Sequence, residues 1–170
     1  MPTPEHTIRP AQPDDLAHLP QIERAAARQF LATAYPAMAD ADLATLHVNL
    51  DYDYIWVAVT HTDAPIAFVI AHILDDNVHL HELDVDPLYA RRGVGRALIK
   101  TVAHWAREAG YAALTLSTFA DVAWNGPYYA RLGFRILDEA LLGPGLRAMR
   151  QAEEAAGLPM AQRVCMRLAL

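Results

Sequence analysis

Six consecutive residues, Arg91-Arg92-Gly93-Val94-Gly95-Arg96, combine three arginines with two glycines. They stand between a strand-like run, Val78 to Val85, and a helix-like run that continues to Ala109. A strand feeding such a turn and then a helix builds an anion site. The first backbone N–H groups of the helix have no internal partners, and the positive end of the helix dipole lies there too. Gly93 and Gly95 carry no Cβ, so the backbone can approach an anion closely. The arginines add charge, and the whole suits a diphosphate. Just upstream stand two carboxylates, Glu82 and Asp84, and three imidazoles, His72, His79 and His81. Downstream, Tyr128 and Tyr129 follow Asn125-Gly126-Pro127.

The basic turn and its flanks resemble motif A of the GNAT superfamily, the acetyl-CoA-dependent N-acyltransferases. Their (Q/R)-x-x-G-x-(G/A) pattern follows a strand that ends in an L-x-V-like triplet and a proline. The triplet here is Leu83-Asp84-Val85, the proline is Pro87, and the glycines are Gly93 and Gly95. Ala90 departs from the Gln/Arg position, so that side-chain contact is either absent or supplied by Arg91. A second run, Tyr128-Tyr129 to Gly133-Phe134, resembles motif B, with Tyr129 in register with the family's tyrosine. Many members carry a CoA-contacting Asn seven residues before that tyrosine. Val122 stands there in this chain, and Asn125, four before, either takes over the contact or caps a helix.

The resemblance implies an α/β fold, a mixed, mostly antiparallel sheet flanked by helices on both faces, in one domain spanning 1–170. It implies acetyl-CoA as co-substrate, with the pyrophosphate held by Arg91, Arg92, Gly93, Val94, Gly95 and Arg96. The pantetheine arm lies along the backbone of Leu83, Asp84 and Val85, and Asn125 is a further candidate contact. The implied activity is transfer of the acetyl group to a primary amine of a small-molecule or peptide acceptor by direct attack. The alternative is an acyl-CoA-binding or sensor module without catalysis, which release of free thiol in the presence of amines would distinguish.

Amine acetylation sets three demands. The amine must be neutral to attack, yet an alkylammonium has a pKa near ~10.4, so something must accept its proton. The tetrahedral oxyanion needs a donor, and the departing thiolate needs a proton or a hydrogen bond. Glu82 is the base candidate, acting directly or through water, because family members often carry a carboxylate on this strand. Strand alternation groups it with Leu80 and Asp84, and sets His79, His81, Leu83 and Val85 on the other face. Tyr129 is the acid candidate, and Tyr128 is expected to pack inward. His81 is an auxiliary base candidate, since an unperturbed imidazole titrates near ~6.5. His72, His79 and His81 could also ligate zinc, but no carboxylate is firmly placed on their face, and no metal is the expectation.

The elements that must position these groups follow from periodicity. His6 to Arg9 reads as a first strand. Leu16, Leu19, Ile22 and Ala26 follow at helical spacing, with a kink or a true start at Pro20. Asp40 is expected to cap a second helix running to about Leu50, with the aromatic Phe30 and Tyr35 before it either packing or reaching the acceptor. Tyr54–Thr60, Ile66–Leu74 and Val78–Val85 form a three-strand meander. The helix from Gly95 puts Val94, Leu98, Thr101/Val102, Trp105 and Ala109 on one face, with Gly110 as its stop. Leu114–Thr118 is a buried strand parallel to its predecessor. A short helix follows Pro127, a strand covers Phe134–Leu137, Gly143-Pro144-Gly145 is a loop, and a short helix ends at Gly157. Arg163–Leu170 is the last strand, with Cys165 at its edge or facing outward.

Composition bounds the function. The chain has 170 residues, 54% of them hydrophobic, enough for one sizeable core. A net charge of −6 argues against a general nucleic-acid partner despite the local arginines. One cysteine excludes an internal disulfide. No apolar run approaches a membrane span, and the start, MPTPEHTIRP, lacks the apolar core of a secretory signal, so a cytoplasmic protein is expected. The oligomeric state stays open, a homodimer included. A dinucleotide-binding domain needs a third glycine where Leu98 stands, and an earlier parallel strand.

Overall fold

A computed structural model describes residues 6–170. Residues 1–5, part of the stretch read as lacking a signal-like core, lie outside the described residues. Seven strands, β1 (Thr7–Pro10), β2 (Tyr54–Val59), β3 (Pro65–Leu74), β4 (Asn77–Val85), β5 (Ala113–Phe119), β6 (Arg135–Ile136) and β7 (Arg163–Ala169), form one sheet in the order β1-β2-β3-β4-β5-β7-β6. The α-helices are α1 (Leu19–Ala27), α2 (Val94–Glu108), α3 (Gly126–Arg131) and α4 (Pro144–Ala155). β4 and β5 pair in parallel across the α2 connection, whereas β1/β2, β2/β3, β5/β7 and β6/β7 are antiparallel. The expected mixed, mostly antiparallel sheet with helices is what forms. By contacts the chain divides into two compact units, one of residues up to Ala71 with Glu82–Val102, the other of His72–His81 with Ala103–Leu170.

In the first unit, Leu19 and Ile22 of α1 pack on Ile55, Val57 and Val59 of β2 and on Phe68 and Ile70 of β3. Pro20 falls in the first turn of α1, where its missing N–H costs nothing, so the helix starts there without a kink. The helix expected over 40–50 does not form. Pro36–Asp40 and Ala44–His47 are separate 3-10 turns. The reason is Glu23, buried on the core stripe of α1. Its carboxylate accepts the N–H groups of Ala44 at 2.7 Å and Thr45 at 2.9 Å, and the Thr45 hydroxyl as well. Asp53 takes the Asn49 N–H at 2.6 Å and turns the chain into β2. Side chains from elsewhere thus draw off backbone donors at Ala44, Thr45 and Asn49, inside the segment a longer helix would occupy.

Helix α2 buries Val94, Leu98, Ile99, Val102 and Ala106 and exposes Arg96, Lys100, His104 and Arg107. The stripe is shifted from the expected one: Thr101 and Trp105 are half-buried and Ala109 is exposed. Trp105 lies at the stripe's margin against Tyr111, ring centres 6.0 Å apart. The stop at Gly110, φ +87°, is as expected.

In the second unit, Asp75 and Asp76 connect β3 to β4 with φ of +50° and +57°, a two-residue turn of the kind that suits a hairpin's twist. The Asp75 carboxylate accepts the N–H groups of Gly145 at 2.7 Å and Leu146 at 2.9 Å, capping α4 from across the chain. A Cβ on Gly143 would meet Asp75 at 2.5 Å, so glycine is required by space. The run expected as a loop is therefore a loop only at Gly143, with α4 beginning at Pro144. Leu142, Leu146 and Cys165 form a small core with Leu74, Leu137 and Met149. Cys165 is neither edge nor outward: β7 is flanked by β5 and β6, the residue is 3% exposed, and burial pushes its thiol pKa up. The strand expected over 134–137 shrinks to Arg135–Ile136. On β7, Arg163 bonds Glu153 at 2.7 Å and Ser117 at 3.2 Å, with its guanidinium over the Phe119 ring.

Gly126 opens α3 against the end of β5. A Cβ there would sit 2.7 Å from the Ala120 carbonyl oxygen and 2.9 Å from that of Phe119, both backbone atoms that cannot swing away. Gly126→Ala should therefore destabilise the protein by about 1–3 kcal/mol, the usual cost of forcing atoms into a packed site. Thermal unfolding should fall by roughly 2–4 °C for each kcal/mol, and an unchanged midpoint would show that the close approach is not maintained.

Candidate active site

The turn between β4 and α2 takes its shape from local backbone conformation. Asp86 accepts the Leu88 N–H at 2.9 Å and sets a 3-10 turn over Pro87–Tyr89. Arg91 and Gly93 then adopt left-handed conformations, φ +63° and +80°. Nothing lies within 4 Å of a Cβ on Gly93, so there the conformation, not space, calls for glycine. Arg91 bears the same geometry with a side chain, at a cost of roughly 1–2 kcal/mol. Ala97 N–H donates to the Gly93 carbonyl at 2.9 Å, which makes Gly93 the N-cap and leaves the N–H groups of Val94, Gly95 and Arg96 ahead of the first intrahelical bond. Arg91, Arg92 and Arg96 are exposed, Val94 and Gly95 buried. The Arg92 guanidinium lies 5.6 Å from the Tyr89 ring centre. From Pro87 to Arg96 there is no acidic side chain. Donors, dipole and cations all suit a polyanion, so the residues fit the pyrophosphate of acetyl-CoA.

The four residues Glu82, Leu83, Asp84 and Val85 that end β4 are all half-buried. Alternation puts Glu82 and Asp84 on one face. Burial raises the Asp84 carboxyl well above the ordinary carboxylate range, and the charges of Glu82 and of Glu23 from α1 push the same way. Two carboxylates thus share one strand face, and a third, from α1, acts on Asp84. Sequence periodicity holds a signal for this cluster that was not read: Glu23 stands at i+4 from Leu19 on the same stripe as Ile22 and Ala26, where an acid must find partners.

In the second unit Tyr129 is 9% exposed, its ring edge-on to Tyr128 at 5.4 Å and to Phe134 at 5.6 Å between centres. The expectation that Tyr128 is the inward ring is reversed, for Tyr128 is only half-buried. Asn125 sits at the N-cap of α3, but its side chain makes no capping bond. Its carbonyl instead accepts the Tyr129 N–H at 2.9 Å. The capping explanation of Asn125 is therefore lost. Val122, at the family's Asn position, is buried.

The histidines divide. His79 is 3% exposed, and its Nδ1 lies 3.0 Å from Thr115 Oγ1 on β5. His72 and His81 stack with ring centres 4.7 Å apart. Among the described residues no group of three or more His, Cys, Asp or Glu is arranged to hold a metal ion. Phe30 and Tyr35 are both half-buried in the segment of 3-10 turns. A surface cavity of about 450 Å³ is lined by Glu139, Ala140, Leu142, Arg147, Arg150 and Gln151, none of them a candidate site residue. No helix among the described residues is long and apolar enough to cross a membrane.

A strand, a cationic glycine turn and a helix starting at Val94 are the parts of the motif that the sequence resembles. The chain belongs to the Acetyltransferase (GNAT) family, whose family model matches residues 19–134. It is 33% identical over 90 residues to the ribosomal-protein-bS18-alanine N-acetyltransferase of Escherichia coli K12, a stretch covering 53% of this chain and 61% of that protein. The chain thus spans about 61% of the length of the curated relatives it matches. In fold it is similar to an acetyltransferase of the GNAT family from Staphylococcus aureus Mu50, with a TM-score of 0.72 at 15% identity over 97% of this chain and 99% of that one. It is likewise similar to the PaiA N-acetyltransferase of Thermoplasma acidophilum, solved with coenzyme A, with a TM-score of 0.69 at 14% identity over 97% and 99%. Acetyl-CoA is the co-substrate of the family.

His79 provides a check on the packing of the second unit. Burial lowers its pKa from 6.5 to about 3, and charge on His81 and His72 acts in the same direction, against Asp75. The unfolded chain takes up that proton first. The contribution of His79 to stability is therefore fully present above pH ~6.5 and is lost as the pH falls from there towards 3. The His79 ring resonances should show no titration between pH 5 and 8 by NMR. A midpoint near the free-imidazole value would contradict the buried Thr115 pairing.

Proposed function

We propose that this chain transfers the acetyl group of acetyl-CoA to a primary amine, and that the whole of 1–170 serves as one acetyltransferase domain. The observation that carries the reading is the open N-terminus of α2, with Gly93 as N-cap, three exposed arginines around it and no acidic residue in its first turn. It takes the pyrophosphate, and the backbone of Leu83, Asp84 and Val85 takes the pantetheine arm. Glu82 accepts the ammonium proton, the freed nitrogen forms the C–N bond, and the C–S bond breaks. The Tyr129 hydroxyl donates its proton to the departing thiolate, and the second proton that the nitrogen sheds in becoming an amide leaves to solvent, which returns one to Tyr129. Asn125, without a capping role for its side chain, is a CoA contact.

The acceptor is the amine of a peptide or protein. Similarity to an enzyme named for a ribosomal-protein alanine supports this, as does the net charge of −6, which favours a cationic acceptor. A peptide α-amine, with a pKa of about 7.7–8.0, also needs less help to lose its proton than a lysine. Free-thiol release from acetyl-CoA, measured against α-amino peptides, lysine peptides and small polyamines, tests the reaction and the acceptor together. No release with any amine would leave only a binding module.

Two substitutions test the roles. Glu82→Gln should lower the turnover rate by about two to four orders of magnitude, the range for a positioned base, with acetyl-CoA affinity by calorimetry hardly changed. Tyr129→Phe keeps the packed ring and removes only the donor. It should slow turnover while sparing acetyl-CoA binding, and Tyr128→Phe should leave the rate close to normal. A slow Tyr128→Phe beside a normal Tyr129→Phe would assign the proton to the other ring.

A further inference from the structure

Two arginines of α4 stand side by side with little acid to answer them. Arg147 and Arg150 lie three residues apart in α4, and Gln151 lies four from Arg147, so the three are neighbours on the helix surface. Like charges at that spacing repel. All three line the surface cavity of about 450 Å³ in the second unit, with Glu139, Ala140 and Leu142. Glu139 is the one acid in that lining, and its pairing with Arg150 is loose. Oε1 lies 3.5 Å from Nη2, and the Glu139 side chain is 84% exposed against 15% for Arg150. An ion pair with so exposed a partner contributes little. Among the described residues Arg147 has backbone partners and no carboxylate. Its Nε donates to the Leu142 carbonyl at 2.8 Å and its Nη2 to that of Ala140 at 3.5 Å. Arg150 Nη1 donates to the Arg163 carbonyl at 3.3 Å. Both guanidinium groups are thus held in place by the fold, so a ligand need not order two long side chains on binding.

We propose that this cavity binds a small phosphate monoester, held by Arg147, Arg150 and Gln151, which displaces Glu139 from Arg150. The bonds already made select the shape of the anion. A carboxylate is gripped best by two parallel bonds from one edge of a guanidinium. On Arg147 the Nε–Nη2 edge is taken by the carbonyls of Leu142 and Ala140, which leaves Nη1 at the far end. On Arg150, Nη1 is engaged by Arg163, and Nη2 is the atom now beside Glu139. Single contacts from two separate guanidinium groups suit a tetrahedral anion, whose several oxygens can each take a donor. The Gln151 side-chain amide supplies a third donor. The cavity volume lies in the range of about 300–1,000 Å³ usual for small-molecule sites. That leaves room for an organic group beside the phosphate, with Ala140 and Leu142 as its apolar lining. None of these residues belongs to the acetyl-CoA site, so the inference holds whatever that site binds.

Proton–nitrogen correlation NMR of the full chain tests this with three probes: inorganic phosphate, ribose 5-phosphate and acetate. The Arg147 Nε–H and the Gln151 side-chain amide should shift saturably with both phosphates, at lower concentration for the ester, and hardly at all with acetate. Arg147→Gln, at an exposed position, should weaken ribose 5-phosphate binding, followed at the Gln151 amide, by at least about ten-fold, as expected for the loss of one charge-assisted contact. Glu139→Gln removes the competing carboxylate and should tighten binding by about three-fold, a gain that poor folding cannot imitate. Phosphate is also expected at the turn before α2, so Arg96→Gln is the control, and the Gln151 shifts should persist in it. Three results overturn the proposal: no saturable shift at these groups, equal shifts with acetate, or wild-type affinity in Arg147→Gln. Loss of the Gln151 shifts in Arg96→Gln overturns it too, by moving the anion to the other site. Equal affinity for the two phosphates overturns the ester and assigns the cavity to the free ion. Unchanged affinity in Glu139→Gln overturns the displacement of Glu139.

Discussion

The first N–H groups of a helix cannot be satisfied by the helix itself, and at the start of α2 that deficit lies among exposed arginines. At three other helix or turn starts an aspartate closes such a gap. Asp86 takes the Leu88 N–H, Asp138 the Ala140 N–H, and Asp75 reaches across to Gly145 and Leu146 at the start of α4. At the start of α2, among the described residues, no acid stands in the first turn. The N-cap is Gly93, which has no side chain to offer, the first turn holds no acid, and the residue inside it is Arg96. A cation at the positive end of a helix dipole is unfavourable alone. It becomes favourable when an anion sits between the two, which is what the proposed pyrophosphate site would supply. The carboxylate of Asp75 on α4 shows within the same chain what satisfies such an end.

The rest of the sheet holds that end in place. α2 follows β4 and precedes β5, and a parallel pair needs such a crossover. Its buried stripe from Val94 to Ala106 fixes the rotation of the helix. Gly93 and Arg91 supply the left-handed turn that lets the helix begin within a few residues of the strand's end. The strain at Arg91 is localised at the site, as backbone strain often is where geometry serves binding.

Strong local patterns were legible in the sequence, and long-range partners were not. Strand alternation, the glycine stops at Gly110, Gly133 and Gly157, and the parallel pairing of β4 with β5 all follow from local residue order. The failed helix over 40–50 illustrates the opposite case. Its cap, spacing and composition are adequate locally, but a glutamate about twenty residues earlier takes its N–H groups. Cys165 was misplaced because an alternating strand near the end of a sequence looks like an edge, and only the insertion of β7 beside β5 reveals otherwise. For the site, the glycine turn and Glu82 carry recognisable signals. The partners of Asp84 do not, because Glu23 comes from a distant helix and its burial shows only when the core stripe of α1 is read residue by residue.

Burial acts in opposite directions on the two kinds of base this strand carries, and that decides between them. An imidazole loses its charge when it loses a proton, so burial lowers its pKa. A carboxylic acid gains a charge, so burial raises its pKa. His79, paired with Thr115 and brought to about 3, has become too poor a proton acceptor to help an ammonium. Asp84 moves the other way, well above the ordinary carboxylate range. The same desolvation therefore acts with opposite sign on the imidazole and on the carboxyl, and adding a cation beside Asp84 would oppose it there. An arginine beside Asp84 would stabilise the fold and return the carboxyl to the ordinary range, at the expense of its proton affinity.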